Sequence, residues 1–116
     1  MPTFAMRREE RLTRSRDFAR VYDDGKSWAN RLLVMRAVPS GREQHRVGFS
    51  VSKRVGNAVV RNRVKRMLRE AVRSRMWEAG WDVVFIARAG AAVSDFHEIG
   101  EAVNDLVERS KMGNLS

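Results

Sequence analysis

Residues 46–53 set Val47, Phe49 and Val51 in alternation with Arg46, Gly48, Ser50 and Ser52. That two-residue period predicts a strand with one apolar face, its other face small and polar. Residues 58–76 follow a different period. At about 100° per residue, Val60, Val64, Met67, Leu68, Ala71 and Val72 fall within a single arc of roughly 140°, and Asn62, Lys65, Arg66, Arg69 and Arg73 cluster opposite. This predicts a strongly two-faced helix, with Gly56-Asn57 supplying a turn and an N-cap before it. Residues 81–88 hold the nearly continuous apolar run Val83-Val84-Phe85-Ile86-Ala87, the pattern of a central strand covered on both faces.

The flanks complete the order. Ser15 is the predicted N-cap of a short first helix, with Asp17 in its first turn, Phe18, Val21 and Tyr22 at helical spacing, and Gly25 as its end. Residues 27–38 read as one strand, broken by Pro39-Ser40-Gly41. Ser94 is the predicted cap of a last helix with an apolar stripe of Phe96, Ile99, Val103 and Leu106 and acidic residues outside. The order is helix, strands, helix, strand, helix, which predicts a single α/β (α+β) sandwich with helices packed on a mixed sheet. Chirality alone makes its strand–helix–strand crossover right-handed. Residues 1–12 read as a mobile basic arm and residues 111–116 as a disordered tail.

Charge changes the picture. The 116 residues carry +9 overall, and the middle of the chain holds all of it. Residues 42–75 have eleven Lys/Arg against two Asp/Glu, whereas residues 76–116 have three against seven. So many cations in so short a stretch repel one another without a polyanionic partner, and nucleic acid suits them better than an acidic protein or a membrane surface. No apolar run approaches the roughly 20 residues that cross a bilayer. The opening Met1-Pro2-Thr3-Phe4-Ala5-Met6-Arg7-Arg8 lacks the apolar stretch of a secretory signal. The absence of cysteine removes disulfides and thiolate metal sites. The cytoplasm is the expected compartment.

Three anion-binding devices converge in residues 50–70. The N-terminus of the two-faced helix offers unpaired N–H groups and the positive end of its dipole near Asn57. Lys53 and Arg54 precede it. Arg61, Asn62, Lys65, Arg66, Arg69 and Arg73 then present donors that fork onto phosphate oxygens or 2′-hydroxyls.

The stretch Lys53-Arg54-Val55-Gly56-Asn57-Ala58-Val59-Val60-Arg61-Asn62-Arg63-Val64-Lys65-Arg66 resembles the signature of the bacterial ribonuclease P protein family, with its Arg-Asn-Arg core. Ser15-Arg16-Asp17-Phe18, the Gly25 turn, Ala29-Asn30-Arg31 opening a strand, Arg46-Val47-Gly48 and Ile86-Ala87-Arg88 keep the family's order, so the resemblance spans roughly residues 7–110. It implies an accessory subunit that helps a catalytic RNA remove the 5′ leader of precursor tRNA. The hydrolysis belongs to the RNA and its Mg²⁺, and no organic cofactor is implied. The resemblance also implies a left-handed crossover, against the expectation from chirality.

Carried over to this chain, the resemblance makes Arg61, Asn62, Arg63, Lys65, Arg66, Arg69 and Arg73 contacts to the catalytic RNA. Asn57, Arg61 and Asn62 would help organise metal-bound phosphates. Phe18, Tyr22, Val34, Arg36, Ser50, Ser52, Lys53 and Arg54 would line a cleft for the single-stranded leader, where aromatic rings stack on unpaired bases with little sequence preference. Arg36 departs from the aromatic or apolar residue common at that place in the family.

Intrinsic catalytic machinery is absent from the pattern. His45 and His97 are isolated, and both read as surface residues; Asp23-Asp24 and Glu9-Glu10 are neighbours whose carboxylates diverge on a helix. A small ribosomal or other structural RNA-binding protein is the alternative that composition alone favours. A helix-turn-helix DNA binder lacks its second short helix beside the basic one.

Overall fold

The computed structural model describes residues 11–73 and 80–110. In chain order these form α1 (Ser15–Asp24), β1 (Lys26–Ala29), β2 (Leu33–Pro39), β3 (Arg46–Ser50), α2 (Ala58–Arg73), β4 (Trp81–Ala87), a 3-10 turn over Ala89–Val93 and α3 (Phe96–Ser110). The strands make one mixed sheet in the order β1-β2-β4-β3, with β3 parallel to β4 and the other pairs antiparallel. β4 is central, as its apolar run predicts.

Alternation along the strands divides the sheet into two faces. Leu33, Met35, Ala37, Val47, Val83 and Phe85 point to one side and form the main core with Val64, Leu68 and Val72 of α2 and Ile99, Val103 and Leu106 of α3. Val38 and Val84 point to the other side, where Val21 of α1 and Leu12 cover them. The result is a sandwich: two helices on one face, one short helix on the other.

Several expectations need correction. The strand expected over residues 27–38 is a hairpin, because Asn30 makes a turn: its side-chain oxygen accepts from the N–H groups of Leu32 at 3.2 Å and Leu33 at 3.0 Å. The residues expected to open a strand therefore reverse it. Asn30 also donates to the Ala102 carbonyl and to Asp105, pinning the hairpin to α3.

The cap of α1 is Arg14, without a side-chain bond, and Ser15 is already helical. For α3 the capping residue is Asp95 rather than Ser94. Asp95 accepts from the Glu98 N–H at 2.8 Å while Glu98 accepts from the Asp95 N–H at 3.0 Å, a reciprocal capping box. Phe96, at the first turn beyond the covered stripe, is half exposed.

Strand β3 stops at Ser50, and α2 is described as far as Arg73; the remaining predicted helical residues, like residues 1–10 and 111–116, lie outside the described residues. Arg11 and Leu12, expected in the mobile arm, are fixed. Leu12 is buried and donates its N–H to the Val47 carbonyl at 3.1 Å, along the edge of β3. His45, expected on the surface, is buried, whereas His97 is exposed and faces Glu101. Among the described residues, no helix is long and apolar enough to cross a membrane.

Candidate RNA interface

The sequence places seven donors on α2, and the helix sorts them by flank. Asn62, Arg66 and Arg73 point outward and are exposed. Arg61, Lys65 and Arg69, four residues apart along one flank, are half buried toward the edge of β3. Among the described residues, no carboxylate lies within ion-pair distance of Arg61, Lys65, Arg66 or Arg69. Arg73 differs, pairing with Glu70 at 3.0 Å where both side chains are about half exposed; exposed pairs of this kind are weak and open readily to a better anion. At the helix start Asn57 caps as expected, its side-chain oxygen accepting the Val60 N–H at 3.0 Å.

Arg63 lies on the opposite flank. Its guanidinium donates to the carbonyls of Ala92 at 2.6 Å and Ser94 at 3.2 Å and reaches the Met67 sulfur, so the second arginine of the Arg-Asn-Arg core clamps the 3-10 turn to α2. Arg63→Ala is expected to cost about 1–3 kcal/mol in urea denaturation, through two carbonyls left without a donor, and to leave the salt dependence of RNA binding unchanged. A flattened salt slope would return Arg63 to the interface.

On the α1 face of the sheet, the register aligns Ala29, Val34, Ile86 and Ser50 in one row across all four strands. Val34, Ile86 and Ser50 are only half buried because α1 covers the neighbouring rows instead. The open row is a cleft floor beside α1, and Tyr22, 37% exposed, stands at its rim. Phe18 and Tyr22 lie with ring centroids 6.4 Å apart. Phe18 is more deeply set. Its ring packs so closely on Gly48 that a Cβ there would come 2.6 Å from it. Ser52, Lys53 and Arg54 form the exposed turn that leads from β3 toward α2, so the cleft and the cationic helix adjoin.

Two features hold the cleft wall, and sequence reasoning missed both. Arg36, expected as a leader contact, donates to the carbonyls of Tyr22 at 2.6 Å and Gly25 at 3.1 Å. It supplies from β2 the cation that the last turn of α1 lacks. Beneath α1 lies a fully buried carboxylate, Asp82, which accepts from Arg20 at 2.9 Å and from Arg46 at 2.9 and 2.8 Å, while Arg46 also faces Asp17 at 3.4 Å. These hydrogen bonds to Asp82 raise the Arg46 pKa further above its ordinary value, against the opposing effect of burial, so the guanidinium stays charged. Part of the signal was present: an Asp buried in an apolar strand needs donors around it, though the sequence does not say which. Ile86 was missed because its strand read as covered on both faces.

The donor set on α2 suits phosphate. Guanidinium and ammonium groups accept nothing, the Asn57 amide oxygen is already engaged, and the Asn62 amide oxygen is a single ligand where Mg²⁺ takes six oxygens. Among the described residues, no group of three or more His, Asp or Glu gathers to hold an ion. The α2 face therefore does not fit a directly held Mg²⁺, and no step runs through one here.

A small α+β domain in which a helix flank of cations, unpaired among the described residues, adjoins a half-open sheet cleft is an RNA-binding protein. Residues 6–111 match the family model for ribonuclease P. The chain belongs to the ribonuclease P protein family, the protein components of an enzyme that trims the 5′ ends of transfer RNAs. It is 43% identical over 104 residues to the ribonuclease P protein component of Caldanaerobacter subterraneus, covering 88% of this chain and 90% of the relative. With that of Dehalococcoides mccartyi it shares 46% over 107 residues, 92% of this chain and 89% of the relative. The solved RNase P protein of Staphylococcus aureus superposes with a TM-score of 0.82 at 33% identity, over 90% of this chain and 98% of that one. The Thermotoga maritima protein gives 0.78 at 32%, over 86% and 96%.

Proposed function

We propose that this chain binds the catalytic RNA of ribonuclease P through α2 and the single-stranded 5′ leader of precursor tRNA in the cleft beside α1, in the cytoplasm, while the RNA and its Mg²⁺ carry out the hydrolysis. The observation that carries the reading is the conjunction of Arg61, Lys65, Arg66 and Arg69, which meet no carboxylate among the described residues, with an adjoining cleft edged by an exposed aromatic ring. The cations neutralise phosphates of a folded RNA, with Asn62 and Arg73 beside Arg66 on the outward face and Asn57, Arg61 and Asn62 ordering phosphates whose other oxygens hold Mg²⁺. The half-open row of Val34, Ile86 and Ser50 gives the leader an apolar and small floor. Tyr22 stacks on a base, Phe18 supports it, and Ser52, Lys53 and Arg54 meet the backbone where the leader turns toward α2. Arg36 serves by fixing the wall, through the end of α1.

Tyr22→Ala tests the cleft. Loss of one base–aromatic stack should weaken precursor tRNA binding to the holoenzyme by about 1–3 kcal/mol, with mature tRNA binding and the melting temperature hardly changed. Equal losses for precursor and mature tRNA would remove the leader from this cleft and leave α2 as the sole RNA-binding surface.

A further inference from the structure

Where the fixed segment Arg11-Leu12 runs along the edge of β3, it closes a half-open cavity of about 140 Å³ between α1, β3 and α2. Leu12, Val47 and the rings of Phe18 and Phe49 supply its apolar lining, and Arg11, Thr13, Lys65 and Arg69 its polar lining. The two rings are packed into the fold. Phe49 stacks on Phe85 in the core with ring centroids 6.4 Å apart, and Phe18 is seated on Gly48. Lys65 and Arg69 belong to the half-buried flank of α2, not to its outward face, and among the described residues neither they nor Arg11 meet a carboxylate at ion-pair distance. The cavity shares Phe18 with the leader cleft but lies to one side of the open row, which runs toward Val34 and Ser50.

A slot with one aromatic wall and three cations that meet no carboxylate among the described residues matches one ligand chemistry: a flat heteroaromatic ring carrying a phosphate. We propose that this cavity receives a single unstacked nucleotide of the catalytic RNA, its base against Leu12 and the Phe18 ring and its phosphate on Arg11, Lys65 and Arg69. The flank of α2 selects the source, because Lys65 and Arg69 continue into the outward face that meets the catalytic RNA, on which this inference rests. An RNA duplex cannot enter so small a space, so the nucleotide belongs to a bulge, loop or junction, as in RNA recognition by base insertion generally. Burying one base would fix the register of the protein on its RNA, which rows of phosphate contacts alone leave free to slide.

The test is photo-crosslinking in the reconstituted holoenzyme, with catalytic RNA and precursor tRNA labelled separately. Benzoylphenylalanine replaces Thr13, an exposed residue at the cavity, and in a second variant Val59, an exposed residue on the outward side of α2. The Thr13 probe is expected to label one unpaired nucleotide of the catalytic RNA, with or without precursor tRNA. Chemical probing should show that nucleotide's base protected by the unmodified protein. Adducts confined to the leader, formed within the protein's own chain, or scattered over many nucleotides would overturn the proposal while the Val59 probe still labels the catalytic RNA. Failure of both probes to reach the catalytic RNA would overturn the α2 assignment and this inference together.

Discussion

Asp82→Ala is expected to destabilise the protein by about 3–5 kcal/mol, because it strands the cations of Arg20 and Arg46 around a buried void. Arg20, 38% exposed, can turn toward water, but Arg46 is only 13% exposed and keeps Asp17 alone at 3.4 Å. The effect should concentrate on α1. That helix contributes one fully buried apolar side chain, Val21, and otherwise relies on this ion cluster and on Arg36 at its end. Calorimetry should show a fall in melting temperature on the order of 10–20 °C. Below the new midpoint, hydrogen exchange should show α1 amides opening while those of α2 stay protected. Precursor tRNA binding should then suffer far more than binding of the catalytic RNA. A loss below about 1 kcal/mol would mean that packing rather than the ion cluster holds α1.

The second large effect concerns affinity. Arg66→Ala combined with Arg69→Ala removes two cations from α2 whose guanidinium groups take no part in the core. If each meets a phosphate, the log–log salt slope of catalytic-RNA binding should flatten by about 0.7 to 0.9 for each lost contact. Affinity at low salt should fall about a hundredfold or more. The fold should persist, since Val64, Leu68 and Val72 on the opposite side carry the packing. Arg63→Ala provides the contrast within one helix: a stability loss without a slope change. An unchanged slope and affinity in the double variant would take both residues out of the interface.

How far the sequence reached depended on how local each feature is. The two-faced arc of α2, the alternation of Val47 and Phe49 and the apolar run of β4 were legible because strand and helix periods act over a few residues. The Asn57 cap was legible for the same reason. The hairpin at Asn30 was not, since Ala29-Asn30-Arg31 continues a strand-like run and only the bonds from Asn30 to Leu32, Leu33 and α3 reveal the turn. The wall of the cleft depends on partners far apart in the chain: Asp82 meets Arg20 and Arg46, and Arg36 meets the end of α1. Nothing in the spacing of those residues announces the encounter. Arg63 shows the limit of periodicity within a helix. It stands one residue from Asn62, yet that step of about 100° carries it from the outward face to the flank that grips the 3-10 turn.

The central claim is that this protein assists an RNA catalyst and performs no cleavage itself. The most direct measurement is precursor tRNA cleavage across a titration of Mg²⁺ and monovalent salt, by the protein alone, by its cognate catalytic RNA alone and by the two together. Rigorously RNA-free protein should give no cleavage and the RNA slow cleavage at high Mg²⁺ and salt, with a marked fall in both requirements when the protein is added. Robust cleavage by the RNA-free protein, or a catalytic RNA whose Mg²⁺ and salt requirements the protein leaves unchanged, would contradict that claim.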